Sequence, residues 1–321
     1  MTSVVITGGC GFLGAALAER IVKDGVTLPD GQHLGAPRIH LWDQPGAVVP
    51  DVPDTHFTAL DIADPHAVRR AMPDDVALIY HLAAVVSGQA EDDYELAMRV
   101  NVGGTNAVLE AAKSVRQGVP VIGTSSLAVY GGNLQEPLTE DTQIQPQNTY
   151  GVTKAIAELV MADYRRRGWV DARTLRLPTI MVRPGKPNAA ASSFASSIIR
   201  EPLGGVPTIC PVDPEMSLWV ASPDTAVSAL WHAPSVARAD WPAFGAVNIP
   251  GLCVPVLSMI GALRARAGDG TVDLIEMKPD QRIMDIVGTW PTLFDTSLAQ
   301  SLGFAGDAGF DAILDQAFLM K

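Results

Sequence analysis

Short apolar runs alternate with longer amphipathic stretches through the first half of the chain. That alternation predicts an α/β architecture, a parallel sheet wound on both faces by helices. Val4-Val5-Ile6 is a β-branched strand, closed by Thr7-Gly8-Gly9-Cys10-Gly11-Phe12-Leu13-Gly14 and followed by helical composition from Ala15 to Val22. Arg38 to Trp42 forms a second strand ending at Asp43, and the Gly-, Pro- and Asp-rich stretch from Asp24 to Pro37 reads as an inserted loop. Thr58–Ile62, Leu78–Ala84 and Val119–Gly123 give three more strands, with a long helical region, Asp92 to Arg116, before the last. The final part, Val254 to Lys321, reads as helices and loops capping the sheet's edge.

Strand, glycine-rich turn and helix in that order are the context of a dinucleotide-binding turn. Gly8 serves a tight turn, Gly11 lets backbone approach a pyrophosphate, and Gly14 lets the helix pack on the sheet. The helix N-terminus then offers free N–H groups to the phosphates. The first glycine gap is one residue longer than the usual fingerprint. Asp43 is placed to bind adenosine ribose hydroxyls and to disfavour a 2′-phosphate, which favours NAD over NADP. Asp61 follows the third strand in reach of an adenine amine, beside Ile62. Leu82, Ala83 and Ala84 form a small-residue turn where bulk would block a cofactor. His81, beside a buried strand end, suits a structural role better than a catalytic one.

Tyr150 and Lys154 are four apart on a helix over 149–167 and so share one face. A tyrosine titrates near pH ~10 and is a poor base at neutral pH. A neighbouring ammonium favours the phenolate. Ser125 and Ser126 end the fifth strand about two dozen positions earlier, at the carboxyl edge where ligands of such sheets bind. A net charge of −12 argues against nucleic acid or an anionic membrane surface as a partner. The three cysteines, Cys10, Cys210 and Cys253, show neither metal-ligand nor disulfide spacing and suit a reducing compartment. With no secretory pattern and no long apolar run, the cytoplasm is the expected location.

Together these elements strongly resemble the extended short-chain dehydrogenase/reductase family, which includes nucleotide-sugar epimerases and dehydratases. The resemblance is carried by the Thr7–Gly14 turn, Asp43, Asp61, His81-Leu82-Ala83-Ala84, Asn101, Ser125–Gly131, Glu136–Glu140 and Tyr150-Gly151-Val152-Thr153-Lys154 with Glu158. It implies a Rossmann-type domain over 1–176 that binds NAD and contains the catalytic Ser126, Tyr150 and Lys154. It also implies a smaller C-terminal part, 177–321, that is mainly a substrate-binding cap with some segments returning to the sheet. Tyr150 would be the general acid/base, Lys154 would lower its pKa and hold the nicotinamide ribose, and Ser126 would hydrogen-bond the reacting oxygen. Expected cofactor contacts are Gly8, Gly11, Phe12, Leu13, Gly14, Asp43, Asp61, Ile62, Leu82, Ala83, Ala84, Asn101, Ser125, Pro178 and Thr179 together with Tyr150 and Lys154. A homodimer through helices 92–116 and 149–167 is expected by the same analogy.

Family dehydratases carry an acidic pair after the catalytic hydroxyl residue, whereas this chain has Leu127 and Ala128. Downstream, Arg183 and Lys186 flank a glycine, Asn188 follows, and Ser192 and Ser193 open a helix to Arg200. Cations, an amide and hydroxyls at a helix start can seat a carboxylate, and a proline-rich solvent loop is the structural alternative. This stretch and Ser217–Pro223 resemble the D-erythronate dehydrogenase branch. The branch implies NAD-dependent oxidation of a small anionic sugar acid, D-erythronate to 2-dehydro-D-erythronate, bound by Ser126, Tyr150, Arg183, Lys186, Asn188, Ser192 and Trp219. Trp219 equally suits core packing, and Arg282 is a further cation expected near the pocket, with Asp285 as its partner. A nucleotide-sugar 4-epimerase is the alternative activity.

Overall fold

The computed structural model describes residues 2–185 and 189–319. β1 (Ser3–Thr7) runs through the glycine turn into α1 (Phe12–Asp24). The stretch read as an inserted loop instead folds, after α1, into a small antiparallel hairpin of β2 (Val26–Thr27) and β3 (His33–Leu34). Gly25 supplies the positive φ at the helix end. Val26, Leu28 and Leu34 are buried, so three apolar residues in a polar stretch hold the hairpin down.

β4 (Arg38–Asp43) and β5 (Thr55–Ala59) follow. β5 ends before Leu60, so Asp61 and Ile62 lie on the loop beyond the strand rather than within it. α2 (Pro65–Ala71) is capped by Asp64, whose carboxylate accepts the N–H groups of His66 and Ala67. After β6 (Val76–His81), the helical region is not one helix. It breaks into α3 (Ser87–Asp92), α4 (Tyr94–Ala97), a π-helical segment Met98–Gly104, and α5 (Thr105–Val115). Gly103 and Gly104 weaken regular helix there, and the wider turn carries Asn101. β7 (Val119–Ser126), α6 (Thr149–Arg166) and β8 (Val170–Leu177) complete this half.

The C-terminal part contains β9 (Thr179–Ile180), α7 (Ser193–Leu203), β10 (Thr208–Cys210), β11 (Ser217–Ala221), α8 (Pro223–His232), β12 (Ala246–Asn248) and β13 (Leu252–Pro255). It ends with α9 (Val256–Ala267), α10 (Asp269–Val272), β14 (Ile275–Met277), α11 (Gln281–Val287), α12 (Ser297–Ser301) and α13 (Phe310–Leu319). The region beyond Val254 is therefore not only helices and loops, because β14 pairs in parallel with β10.

Seven parallel strands form the main sheet in the order β12-β8-β7-β6-β1-β4-β5. The order reverses between β1 and β6, and ligands of such sheets enter the crevice at that reversal. The central strands are buried along their length, β6 and β8 at every residue, as expected where helices cover both faces. One apolar core packs α1 and α8 on one face, and a second packs α2, α5 and α6 on the other. A third fills the C-terminal part around Phe194, Trp219 and Ile313. Among the described residues, no helix is long and apolar enough to cross a membrane.

Candidate active site

Two cavities open along the carboxyl edge of the sheet and share Gly8, Gly11, Leu82 and Ala84 as walls. One, of about 360 Å³, is bounded by Asp43, Asp61, Ile62 and Ala83. The other, of about 310 Å³, is bounded by Phe12, Leu13, Gly14, Ser125, Ser126, Tyr150, Lys154, Pro178, Thr179, Arg183 and Ser192. The cleft thus gathers residues from strand ends as far apart in sequence as Gly8 and Thr179.

The glycine turn is built for close approach. Gly8 has φ +66, and a Cβ there would stand 2.8 Å from the Ala83 backbone nitrogen. A Cβ on Gly14 would collide with the Gly8 carbonyl. Asp43 accepts the backbone N–H groups of Cys10 (3.0 Å) and Gln44 (2.8 Å), which fixes its carboxylate at the cavity wall. Each oxygen keeps acceptor capacity for a ribose hydroxyl. A side-chain-free cradle at a helix start, an anchored acid one strand away and a cleft joining them fit a dinucleotide. Asp61 is also held, by the Ala63 N–H and by Arg99 at 2.7 Å.

Asn101 does not face either cavity. Its side chain is buried and bonds Val85 N–H (2.7 Å), Val85 C=O (3.1 Å) and the Thr153 hydroxyl (3.0 Å). It ties the loop after β6 to α6, so the expected cofactor contact is replaced by a brace. His81 is buried between the hydroxyls of Thr7 (2.8 Å) and Thr105 (3.0 Å). Burial, reinforced by the Lys154 charge, lowers its pKa to about 3, so it stays neutral and structural.

Helix α6 begins at the cleft. Asn148 caps it by accepting the Gly151 N–H at 2.8 Å. Gly151 touches the end of the β7 segment so closely that a Cβ would collide with the Ala128 carbonyl. This packing brings Tyr150 beside Ser126. Replacing Gly151 with alanine is expected to destabilise the fold by roughly 1–3 kcal/mol, the cost of overpacking, measurable by urea unfolding. Ser126 itself accepts the Ala128 N–H at 3.1 Å.

The electrostatics differ from the simple pairing of Tyr150 with Lys154. Burial pushes the Tyr150 phenol up to about 12, while a hydrogen bond with Ser126 and the charge of Arg183 pull it down. Lys154 is buried, lies 5.7 Å from the Tyr150 ring centre, and donates to the Thr124 carbonyl at 2.8 Å. Burial lowers Lys154 to about 8, against an upward pull from Glu158. Arg183, whose pKa burial lowers to about 10, is thus the cation facing the phenol in this state.

Arg183 follows β9. Its backbone N–H bonds Ser196 at 3.0 Å, its carbonyl accepts from Arg200 at 2.6 Å, and its guanidinium reaches Ser192 at 3.4 Å. Ser192 precedes α7 and also faces the cavity. Lys186 and Asn188 lie outside the described residues. Trp219 is placed elsewhere: it is buried in the C-terminal core, its ring 5.2 Å from that of Phe294. Packing, not ligand contact, is its role in this structure. Arg282 also misses the cavity and reaches Asp92 at the surface, while Asp285 accepts from Gln281 at 2.6 Å.

Several wall residues were not singled out from the sequence, among them Ser87 at the start of α3, Thr124 on β7 and Trp290 after α11. Ser87 Oγ accepts the Ala191 N–H at 2.9 Å and so seats the segment before α7 against α3. Trp290 stands 140 residues beyond Tyr150 in Gly-Thr-Trp-Pro, and no periodicity points inward.

Residues 4–216 match the NAD dependent epimerase/dehydratase family. The chain is 47% identical over 312 residues to the D-erythronate dehydrogenase of Cupriavidus necator, covering 97% of this chain and 96% of that protein. It is 38% identical over 318 residues to the D-erythronate dehydrogenase of Haemophilus influenzae, covering 98% of each. Among solved structures, it resembles the nucleoside-diphosphate-sugar epimerase from Agrobacterium tumefaciens at a TM-score of 0.86 and 36% identity, over 98% of this chain and 92% of that one.

Proposed function

The chain belongs to the NAD-dependent epimerase/dehydratase family, and from that premise we propose that it is an NAD-dependent dehydrogenase of a small sugar acid, D-erythronate by first choice. The observation that carries this reading is Arg183, a half-buried cation that lines the same cavity as Tyr150. A small acid needs a cation for its carboxylate beside the group that handles the proton. Arg183 with Ser192 supplies it. The identity to two D-erythronate dehydrogenases over nearly the whole chain supports the same substrate.

Residues Gly8, Gly11 and Gly14 would hold the pyrophosphate of NAD, Asp43 the adenosine ribose, and Pro178, Thr179 and Lys154 the nicotinamide end. When bound, NAD supplies a hydride acceptor. The protein's own part is acid–base and positional. Tyr150 Oη takes the proton of the substrate hydroxyl as the carbinol carbon gives up its hydride to the nicotinamide end of the site and becomes a carbonyl. Ser126 Oγ hydrogen-bonds the same oxygen and fixes its place between the two groups. Arg183 binds the carboxylate and, by its charge, favours the phenolate. Leu127 and Ala128, where an eliminating enzyme would need acids, leave oxidation without loss of water.

Mixing purified protein with NAD and D-erythronate should produce the absorbance of free NADH. Arg183→Gln should raise KM for the acid by roughly 10- to 100-fold, the value of a charge-assisted hydrogen bond, with KM for NAD unchanged. The likeness to the Agrobacterium epimerase favours a second reading, a nucleotide-sugar 4-epimerase. Turnover of a UDP-hexose, with no NADH from any four-carbon aldonate, would overturn the first reading in favour of the second.

A further inference from the structure

Arg183 lies where the chain has just left its strands. The N–H of Met181 still bonds the Ala221 carbonyl at 2.9 Å, while Pro184 and Gly185 beyond Arg183 are exposed. Both main-chain groups of Arg183 are met by side chains instead. Ser196 Oγ accepts its N–H at 3.0 Å, and Arg200 Nη1 donates to its carbonyl at 2.6 Å. Its guanidinium in turn reaches Ser192 Oγ at 3.4 Å. A residue has only two soft backbone dihedrals, so fixing its N–H and its C=O also fixes the direction in which its side chain leaves the backbone.

Ser192, Ser196 and Arg200 stand four residues apart. That spacing puts Ser196 and Arg200 on one face of α7, with Ser192 one turn before them. One stripe therefore grips one arginine at three points. The helix beneath the stripe is firmly seated, because Phe194, Ala195, Ile198 and Ile199 are buried in the C-terminal core. Ser196 itself is 1% exposed. Arg200 sets a second cation near the first, and its charge opposes that of Arg183. Glu201 offsets part of this repulsion by accepting from Arg200 Nη2 at 2.5 Å. The fork of the guanidinium lets one side chain hold the carbonyl and the carboxylate together.

We propose that Ser196 and Arg200 are positioning residues that aim the Arg183 guanidinium at the carboxylate of the substrate. This rests on reading Arg183 as the seat of a sugar acid's carboxylate. Neither Ser196 nor Arg200 is among the described residues that wall the cavity, so each acts through Arg183 and not on the ligand. A binding group works only when the shell around it holds it to within about 0.5 Å, and here that shell is a single helix face.

A double-mutant cycle tests the role. Arg200→Met should raise KM for D-erythronate roughly 10- to 100-fold and Ser196→Ala roughly 2- to 10-fold, the values of a charged and a neutral hydrogen bond, with KM for NAD unchanged. In the Arg183→Gln background the same substitutions should change KM by less than about two-fold, because the arginine they aim is gone. Arg200→Lys keeps a charged donor and should recover part of the loss. Ser196→Ala strands no charge, and it carries the cycle alone if Arg200→Met fails to fold. Equal rises in both backgrounds would overturn the positioning role and leave the dehydrogenase reading standing. If UDP-glucose is turned over and no four-carbon aldonate is, the cycle is run on UDP-glucose. Coupling there keeps the positioning role and removes the sugar-acid reading, whereas additivity removes both. If neither is turned over, the crystal structure of Arg200→Lys decides: an Arg183 guanidinium displaced from Ser192 supports the role, and one still in place refutes it.

Discussion

Tyr150→Phe should lower kcat for oxidation by roughly 100- to 10,000-fold, the range of a lost general base, while the protein still binds NAD and unfolds at the same temperature. The ring remains and only the Oη is removed, so the packing against α3 and the C-terminal core is kept. The pH profile gives a sharper test. The proposed mechanism requires the phenolate, and burial raises the Tyr150 phenol to about 12. Below that value the active fraction grows about tenfold per pH unit. The rate at subsaturating substrate should therefore climb from pH 6 to about 8, where Lys154 begins to lose its charge, and that slope should vanish in Tyr150→Phe. Arg183 is among the groups that pull the phenol down. Arg183→Gln should accordingly push the rising limb to higher pH as well as weaken acid binding, two effects that a merely structural arginine would not combine. Unchanged kcat in Tyr150→Phe would remove the proposed mechanism altogether.

The sheet and the glycine turn were legible because their signals are local. A β-branched strand, three glycines at fixed gaps and an amphipathic helix lie within about twenty residues, and each demands its neighbour sterically. Tyr150 and Lys154 were readable for the same reason, since helical spacing alone puts them on one face. The charge relation between them was not. It depends on how far each is buried and on Arg183, which approaches from a segment 33 positions away. Asn101 shows the opposite failure. The motif found the residue, but only the π-helical turn shows that its amide is consumed by Val85 and Thr153. Trp219 and Trp290 could not be ranked from sequence, because an apolar ring near a proline looks alike in a core and in a cavity wall. Their difference is a matter of tertiary packing: Trp219 packs at a tilt against Phe294 in the C-terminal core, while Trp290 borders the Tyr150 cavity. The hairpin within 24–37 was hidden by a composition dominated by turn residues, with Val26, Leu28 and Leu34 to signal burial.

Arg176→Met should destabilise the protein by about 3–5 kcal/mol, the cost of stranding a buried charge. Arg176 on β8 and Glu158 on α6 are both about 1% exposed and form a two-point ion pair, with contacts of 3.0 and 2.7 Å. The third arm of the guanidinium donates to the Tyr130 hydroxyl, whose one proton lies within reach of two acceptors, the Thr139 carbonyl and Asn248 Oδ1, each at 3.0 Å. Removing the arginine leaves Glu158 buried with Lys154 as the remaining nearby cation. The double variant Glu158→Leu/Arg176→Met should recover most of the loss, because replacing both partners removes the stranded charge. Urea unfolding of the four proteins measures the coupling, and simple additivity would show that the pair acts as two independent side chains. Glu158→Gln carries a second signature at the active site. Glu158 pulls Lys154 upward from a value that burial lowers to about 8. Since this is below the ordinary lysine value, the unfolded chain binds the extra proton between about pH 8 and 10.5, and that group's contribution to stability grows as pH rises through the window. Without Glu158 the window extends to lower pH. Lys154 then loses its charge nearer neutrality, and activity in Glu158→Gln should decline at a pH where the parent protein still gains.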